Sequence, residues 1–181
     1  MQLIPMETIH IDGLWEAAKP DEIWSFMATK VRNQEELESM LTKAIHNRDQ
    51  GLEYPFVVMD KSNKIIGSTR FLDIYPQNNS LEIGWTWYHP SVWRSSVNTE
   101  CKFLLLEHAF EKWDINRVQL KTDSRNIRSQ NAITRIGAVK EGTLRKDRVI
   151  SDGYTRDTVF YSILKEEWPL VKEKLRQKLA E

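Results

Sequence analysis

The amino-acid sequence predicts a mixed α/β domain, in which helices lie on both sides of a sheet. Three observations lead to this prediction. Helical patterns dominate the N-terminal third, a series of short strand-like segments follows, and the second half alternates strand and helix before a hairpin and a last helix. No repeat, low-complexity segment or linker rich in Pro, Gly or Ser divides the chain, so we expect residues 1–181 to form a single domain.

The N-terminal third is predicted to be mainly helical. Residues 21–29 (DEIWSFMAT) place acidic residues before apolar ones, as at the start of a helix. The clearer helix covers residues 34–48, where apolar side chains keep the i, i+3, i+4, i+7 spacing of one buried face: Leu37, Met40, Leu41, Ala44 and Ile45.

Strand signals come next. Segments 55–59 (PFVVM) and 64–74 (KIIGSTRFLDI) flank the turn composition DKSN and predict an antiparallel hairpin. After a second turn, PQNNS, residues 81–88 (LEIGWTWY) are predicted to form a strand that Pro90 stops. An apolar helix is then expected over about residues 98–113.

The second half is predicted to alternate the two types of element. Strands are expected at residues 117–122 (RVQLKT), 141–150 and 156–164, the last two forming a hairpin around the turn SDG. Helices are expected at residues 128–136, where Gly137 supplies the C-terminal cap, and at residues 168–179.

Composition limits the classes of function. Lysine plus arginine equals aspartate plus glutamate at 26 each, so the net charge is zero, which argues against a large electrostatic hold on nucleic acid or an anionic membrane. The one cysteine, Cys101, cannot form an intrachain disulfide, and no Cys/His cluster has metal-ligand spacing. Because that cluster is missing, we expect no bound metal. No long apolar stretch or secretion signal is recognisable, so we expect a cytoplasmic protein.

A polar segment, WRSSVNTE (residues 93–100), joins the strand LEIGWTWY to the helix after it. We call this segment the elbow. A helix N-terminus presents unpaired N–H groups and about half a positive charge, which suit a phosphate, and Arg94 would add a full charge. The alternative is that Asn98 or Thr99 simply caps a buried helix. The glycines that are usual in phosphate loops are absent.

A second polar segment follows the next strand. Residues 123–130 would lie at the C-terminal end of that strand, where open α/β sheets bind ligands. Asn126 and Ser129 stand three residues apart at the start of a helix, so they can face one ligand together. The alternative is again capping, with Asn126 or Ser124 as the N-cap and Ser129 in the first turn.

Together these segments resemble the GNAT superfamily of N-acetyltransferases, in the branch similar to the Rim-type ribosomal-protein N-terminal acetyltransferases. The resemblance covers nearly the whole chain and is most specific in VNTECKFLLLEHAFE and NIRSQNAITRIGAVKEG. It implies a strongly bent mixed sheet whose two central strands, LEIGWTWY and RVQLKT, splay apart to admit the pantetheine arm of acetyl-CoA or coenzyme A.

The resemblance also implies which residues bind this cosubstrate. The elbow would hold the pyrophosphate, with Ser96 standing where the family's phosphate loop has its first glycine. The pantetheine arm would contact the strand before the elbow and the start of the following short helix. The implied cofactor-binding residues are Trp85, Thr86, Trp87, Arg94, Ser95, Ser96, Val97, Asn98, Thr99, Asn126 and Ser129.

In such an enzyme the amine attacks the thioester directly, so no nucleophilic side chain is needed and Cys101 is expected to pack in the core. Backbone N–H groups near residues 85–87 would stabilise the oxyanion, and Ser129 would protonate the leaving thiolate. Glu82 is the candidate base, acting through water. Its alternative is a solvated carboxylate at the end of a strand.

Other polar groups compete for these roles. Asp157 and His89 are rival bases, although His89 is rather expected to cap the end of its strand. Tyr161 and Tyr88 could line the site or could be buried with tethered hydroxyls. Four aromatic residues could wall an acceptor groove, with core packing as the default interpretation: Trp24, Phe71, Trp85 and Trp87.

The predicted function is transfer of the acetyl group of acetyl-CoA to a primary amine, either a protein N-terminus or a small molecule. The alternative is a non-catalytic acyl-CoA-binding sensor or scaffold. Neither nucleic acid nor a membrane is expected as a partner, and the dimers formed by many relatives imply a homodimer.

Overall fold

The structure is a computed structural model that describes residues 1–150 and 152–180. The chain forms two compact units, here called the first and second unit. The first unit comprises residues 1–74 and 83–97, and the second comprises residues 75–82 and those from Asn98 onward.

Seven strands of the described residues belong to one mixed sheet, in the order β1-β2-β3-β4-β5-β7-β6. They are β1 (Gln2–Pro5), β2 (Tyr54–Met59), β3 (Ile65–Tyr75), β4 (Ser80–Tyr88), β5 (Arg117–Asp123), β6 (Val139–Val149) and β7 (Thr155–Leu164). β4 and β5 pair in parallel, whereas β1–β2, β2–β3, β5–β7 and β6–β7 are antiparallel. The mixed sheet and both predicted hairpins are therefore confirmed.

Five α-helices occur in the same residues. They are α1 (Ile11–Ala18), α2 (Gln34–Asp49), α3 (Val97–Glu111), α4 (Ile127–Arg135) and α5 (Trp168–Ala180). Helices α2 to α5 lie within two residues of the predicted bounds at each end. The sequence patterns do not predict β1, which has only four residues, or α1, which contains a glycine.

The helix predicted at residues 21–29 is wrong, because only a single 3-10 turn forms there, at Asp21–Trp24. The indole nitrogen of Trp24 donates a hydrogen bond to the carbonyl of Ala18 over 2.9 Å, and its ring is buried. The segment is thus held by one buried side chain, and not by the repeated backbone hydrogen bonds of an α-helix. Within the described residues, no helix has the length and apolar character that crossing a bilayer needs.

The first unit packs α1 and α2 on an apolar core that includes the predicted inward face of α2. Leu37, Leu41 and Ala44 are fully buried. Strands β3 and β4 approach closely at Gly67, where an added Cβ would lie 2.3 Å from the carbonyl oxygen of Trp87. Only glycine allows that approach, so this position fixes the spacing of the two strands.

The second unit is built around β5, which pairs with β7 along its whole length. Helix α4 ends at Arg135, and Ile136 is its C-cap. Gly137 follows with a φ of 96° in the left-handed region, as is usual for the residue just after a C-cap. The predicted SDG turn includes Ser151, which lies outside the described residues. Its flanks are closed by a hydrogen bond of 2.9 Å from the Ile150 amide to the carbonyl of Tyr154.

Candidate active site

In the first unit, β4 departs from regular strand geometry at Trp85. Its φ is 48°, which lies in the left-handed region and costs a non-glycine residue about 1–2 kcal/mol. The hydroxyls of Thr86 and of Thr69 on β3 lie 2.8 Å apart. Trp85 and Thr86 are both half-buried. The strand that is expected to bind the pantetheine arm therefore carries a fixed bend in its centre.

The ring of Trp85 lies against a buried cation. The guanidinium carbon of Arg70 is 4.9 Å from the centre of this ring. Arg70 is only 5% exposed, and its Nη1 donates to Oε2 of buried Glu53 over 2.9 Å. The other oxygen of Glu53 accepts a bond of 2.6 Å from Nδ2 of Asn47 on α2. No sequence pattern indicates this arrangement.

The elbow begins after a short 3-10 turn. His89 caps this turn, because its Nδ1 accepts a bond of 3.2 Å from the amide of Ser91. The capping role expected of His89 is thus observed, at the turn that follows the strand. The indole nitrogen of Trp93 donates to the carbonyl of Tyr88 over 2.9 Å and ties the elbow to the end of β4.

The backbone of the elbow contains one left-handed residue. Arg94 has a φ of 61°, so a non-glycine residue adopts the conformation that favours glycine. Arg94, Ser95 and Ser96 are exposed. Among the described residues, no backbone carbonyl accepts a hydrogen bond from their three amides. The amides of the first helical turn, including Asn98, lack intrahelical partners by geometry.

The predicted capping of α3 by Asn98 or Thr99 is wrong, because the helix begins at Val97 and both residues lie inside its first turn. The hydroxyl of Ser95 accepts from the amide of Val97 over 3.3 Å and donates to the carbonyl of Val92 over 2.6 Å. The hydroxyl of Thr99 instead accepts a bond of 3.1 Å from Arg135.

In the second unit, Asn126 is the N-cap of α4. Its Oδ1 accepts a bond of 3.0 Å from the amide of Ser129, so the two predicted site residues do lie together. The loop before them is held by an ion pair, in which the buried carboxylate of Asp123 accepts from Arg125 Nη2 over 2.7 Å. The Arg125 guanidinium also stacks 3.6 Å from the ring centre of Tyr154.

Glu82, the candidate base, is 2% exposed, so the interpretation of a solvated strand-end carboxylate is wrong. Parallel pairing places it beside Gln119. Its Oε2 lies 2.8 Å from Nζ of Lys121 and accepts a bond of 3.0 Å from Nε2 of Gln119. Gln119 and Lys121 alternate along β5, so they project from the same face of the sheet as Glu82. Alternation in the sequence VQLKT is the signal that could have found them.

A buried lysine on α3 also belongs to this group of charges. Burial lowers the pKa of Lys102 to about 8, while the charges of Cys101 and Glu82 oppose this effect. Neighbouring Cys101 is fully buried, which confirms that it packs in the core. Lys102 stands three residues before buried Leu105, at the spacing of an inward helix face. That spacing was the available signal.

Two of the remaining candidates, Tyr161 and Asp157, have structural partners. The hydroxyl of Tyr161 donates to Oε1 of Gln130 over 3.1 Å, and burial raises its pKa. Asp157 accepts a bond of 2.8 Å from the amide of Lys146. Three of the four aromatic residues considered for an acceptor groove are buried, as core packing predicts: Trp24, Phe71 and Trp87.

These features fit a diphosphate better than a metal ion. Three consecutive amides without backbone carbonyl partners, the exposed Ser96 and the charge of Arg94 suit the negative charge and the acceptor oxygens of a pyrophosphate. Among the described residues, no three His, Cys, Asp or Glu side chains are grouped so that they could hold a metal ion.

Comparison with known proteins places the chain among acetyltransferases. A family model described as an acetyltransferase (GNAT) domain matches residues 1–139. A crystal structure from T. thermophilus, provisionally assigned as an acetyltransferase, is 36% identical, with a TM-score of 0.87 over 98% of this chain and 92% of that chain.

Two more distant proteins have named substrates. A ribosomal-protein-serine acetyltransferase of Escherichia coli (strain K12) is 21% identical over 159 residues, which are 86% of this chain and 88% of that protein. A spermidine N-acetyltransferase from Vibrio cholerae, solved with CoA and spermine, is 21% identical, with a TM-score of 0.78 over 93% of this chain and 97% of that chain. Because the family model spans more than half of the sequence, the chain belongs to the GNAT family of acetyltransferases.

Proposed function

We propose that this acetyltransferase transfers the acetyl group of acetyl-CoA to a primary amine of a protein N-terminus or a small molecule, using the residues described above. The observation that most directly supports this function is the structure of the elbow. Its three amides without backbone carbonyl partners and the left-handed Arg94 support a role as a phosphate-binding loop without glycine. Here the pyrophosphate would be held by the backbone of residues 94–99, with charge from Arg94.

The pantetheine arm would be bound by two other segments. Strand β4 would present its amides at residues 85–87 to the amides of the arm, in the manner of an added strand. At the start of α4, Oδ1 of Asn126 is engaged in the helix cap, so its Nδ2 is the group assigned to the arm. Ser129 would then lie near the sulfur.

Acetyl-CoA supplies a thioester whose carbonyl carbon an amine can attack directly. The new C–N bond forms as the C–S bond breaks, so one proton must leave the amine and one must reach the sulfur. We assign the first proton to Glu82 through a water molecule and the second to the hydroxyl of Ser129. The amides of β4 would stabilise the negative charge on the oxygen. Lys121 and Gln119 orient the Glu82 carboxylate.

The acceptor is proposed only as a class. Two similar proteins are named for a ribosomal-protein serine and for spermidine, which are a protein and a polyamine. The zero net charge does not favour a polycationic substrate over a protein N-terminus, which carries one positive charge at most. We therefore propose testing peptides with free N-termini first and polyamines second.

One observation favours the alternative of a non-catalytic acyl-CoA-binding module. The carboxylate of Glu82 is engaged by both Lys121 and Gln119, so its role as a base requires that a water reach the remaining oxygen. Release of thiol with any acceptor of the amine panel would exclude this alternative.

We also propose a cytoplasmic location and a homodimer. A chain with one cysteine, fully buried, does not depend on disulfides and suits a reducing compartment. Light scattering of the purified protein would test the homodimer, and a monomer mass of 21.3 kDa would contradict it.

The deciding experiment combines binding and turnover. Calorimetry with acetyl-CoA, CoA and dephospho-CoA tests the cosubstrate site. If the protein binds none of the three, both the catalytic function and the sensor function are refuted. Thiol release is then followed for Glu82→Gln and, as a matched control, for the rival base variant Asp157→Asn. We expect Glu82→Gln to lower kcat by about 100-fold to 10,000-fold and to leave CoA affinity within about twofold. Unchanged kcat in Glu82→Gln with reduced kcat in Asp157→Asn would transfer the base role to Asp157.

A further inference from the structure

A chain of buried and half-buried polar side chains in the first unit ends at the bend of β4. It runs from Asn47 to Glu53 over 2.6 Å, from Glu53 to Arg70 over 2.9 Å, and from Arg70 to the ring of Trp85 at 4.9 Å. We propose that Arg70 is a positioning residue for acetyl transfer, which holds the ring of Trp85 and thereby the left-handed backbone that presents the amides of β4. This inference rests on the function proposed above.

The position of the strain is the first argument. Gly84 precedes the bend and could adopt a positive φ at little cost, yet the positive φ of 48° falls on Trp85. Strained backbone conformations persist only where the surroundings impose them. A tryptophan at this position is explained if the contacts of its ring keep the backbone in the left-handed conformation.

The chemistry of arginine is the second argument. A planar guanidinium can stack on an aromatic ring and donate to a carboxylate at the same time, which a lysine does less well. Burying it has a cost, since Nε of Arg70 has no hydrogen-bond partner among the described residues. An apolar side chain would fill the same space without that cost, so packing alone does not explain an arginine here.

A second tether supports the same conclusion. The hydroxyls of Thr69 and Thr86 lie 2.8 Å apart, and Thr69 precedes Arg70 on β3. Two successive residues of β3 therefore hold two successive residues of β4. Shifting either tether would move the amides that the cosubstrate is proposed to use.

The test compares Arg70→Lys with Arg48→Lys. Arg48 also lies in the first unit, but its Nη1 is engaged away from β4, by an ion pair of 2.9 Å with Glu7 and a bond of 2.8 Å to the carbonyl of Met6. We expect the Kd for CoA and the KM for acetyl-CoA to rise about tenfold in Arg70→Lys and to stay within about twofold of wild type in Arg48→Lys. Thermal melts of both variants show how much stability each loses.

Repeating Arg70→Lys in a Trp85→Leu background tests whether Arg70 acts through the ring. We expect the tenfold effect on Kd to shrink to about twofold there, because the stack is already lost. If Arg70→Lys does not fold, Glu53→Gln, which keeps an acceptor oxygen for Nη1, is measured in both backgrounds instead.

Two results would overturn the inference while the proposed function stands: CoA affinity of Arg70→Lys within twofold of wild type, or an equal loss of affinity in both Trp85 backgrounds. A wild-type protein that binds no CoA would instead refute the proposed function, and the inference with it. The two failures are thereby distinguished.

Discussion

Helices α3 and α4 each follow a strand after a short connection, but their N-termini are arranged differently. At α4, Oδ1 of Asn126 accepts from the amide of Ser129, so the chain itself satisfies part of the helix start. At α3, the amides of Arg94, Ser95 and Ser96 donate to no backbone carbonyl among the described residues. The hydroxyl of Ser95 accepts from the amide of Val97, so the amides left without a backbone partner are those just before the helix. Unpaired amides at a helix start are suited to an outside anion. This difference supports the proposal that the diphosphate binds at α3 and the pantetheine arm at α4.

The largest expected effect concerns the lysine buried in the second turn of α3. The ordinary pKa of 10.5 falls to about 8 for Lys102, so the unfolded chain binds more protons than the folded chain between these pH values. Stability must therefore rise with pH across that window. We expect Lys102→Met to be more stable than wild type by roughly 3 kcal/mol at pH 7, and this gain to fade towards pH 10.5.

Denaturant unfolding at pH 7 and pH 10 measures that difference, and the difference between variant and wild type removes the contribution of other titrating groups. A Lys102→Met protein that is less stable than wild type at pH 7 would show that Lys102 is stabilised by its surroundings.

The next effect tests the open amides themselves. Ser96→Pro removes one N–H group from the elbow and restricts Ser95, so the Kd for CoA should rise about tenfold or more, as expected for one hydrogen bond to a charged group. Gln34→Pro is the control, because Gln34 is the first residue of α2, where proline is tolerated. Calorimetry that finds equal CoA affinity in both variants would remove the distinction between α3 and α4.

Replacing Asn126 separates capping from binding at α4. Asn126→Ala loses the cap and should cost about 1 kcal/mol, or about 2–4 °C in Tm. Asn126→Asp keeps a cap oxygen but loses the Nδ2 donor, so its Tm should match wild type while CoA binding weakens. Calorimetry and thermal melts of the pair check this. Wild-type affinity in Asn126→Asp would restrict Asn126 to capping.

The smallest effect is expected for the charge of Arg94. Because this side chain is exposed, Arg94→Ala should weaken CoA binding by about threefold at low salt, and the loss should disappear in concentrated salt. Arg32→Ala, which removes another exposed arginine, serves as the control. If the loss persisted at high salt, the left-handed backbone would be implicated, and Arg94→Gly should then restore affinity.

The elements that the sequence predicts well are those set by local patterns. The inward face of α2 and the β2–β3 hairpin follow from side-chain periodicity and turn composition alone. Capping of α4 by Asn126 was one of two open interpretations, and the structure shows that the side chain does cap. The helix expected at residues 21–29 failed because a single buried contact of Trp24 outweighs local propensity.

The features that escaped prediction depend on residues distant in sequence. Arg70 pairs with Glu53, 17 residues away, and Glu82 contacts Gln119, 37 residues away. No local pattern reveals such partners, because burial of a charge becomes tolerable only when the folded chain supplies its counterpart. The positive φ of Trp85 has the same origin, since a tryptophan in a strand pattern predicts regular extended backbone.

The buried thiol of Cys101 has a practical consequence for assaying this enzyme. Turnover releases coenzyme A, whose sulfhydryl reacts with colorimetric thiol reagents, and the only sulfhydryl of the protein is fully enclosed in the core. A native preparation should thus give a flat baseline in the absence of an acceptor amine. Partial denaturation would instead register as a slow, acceptor-independent colour change of at most one equivalent per chain. The same cuvette therefore monitors catalysis and the integrity of the sample.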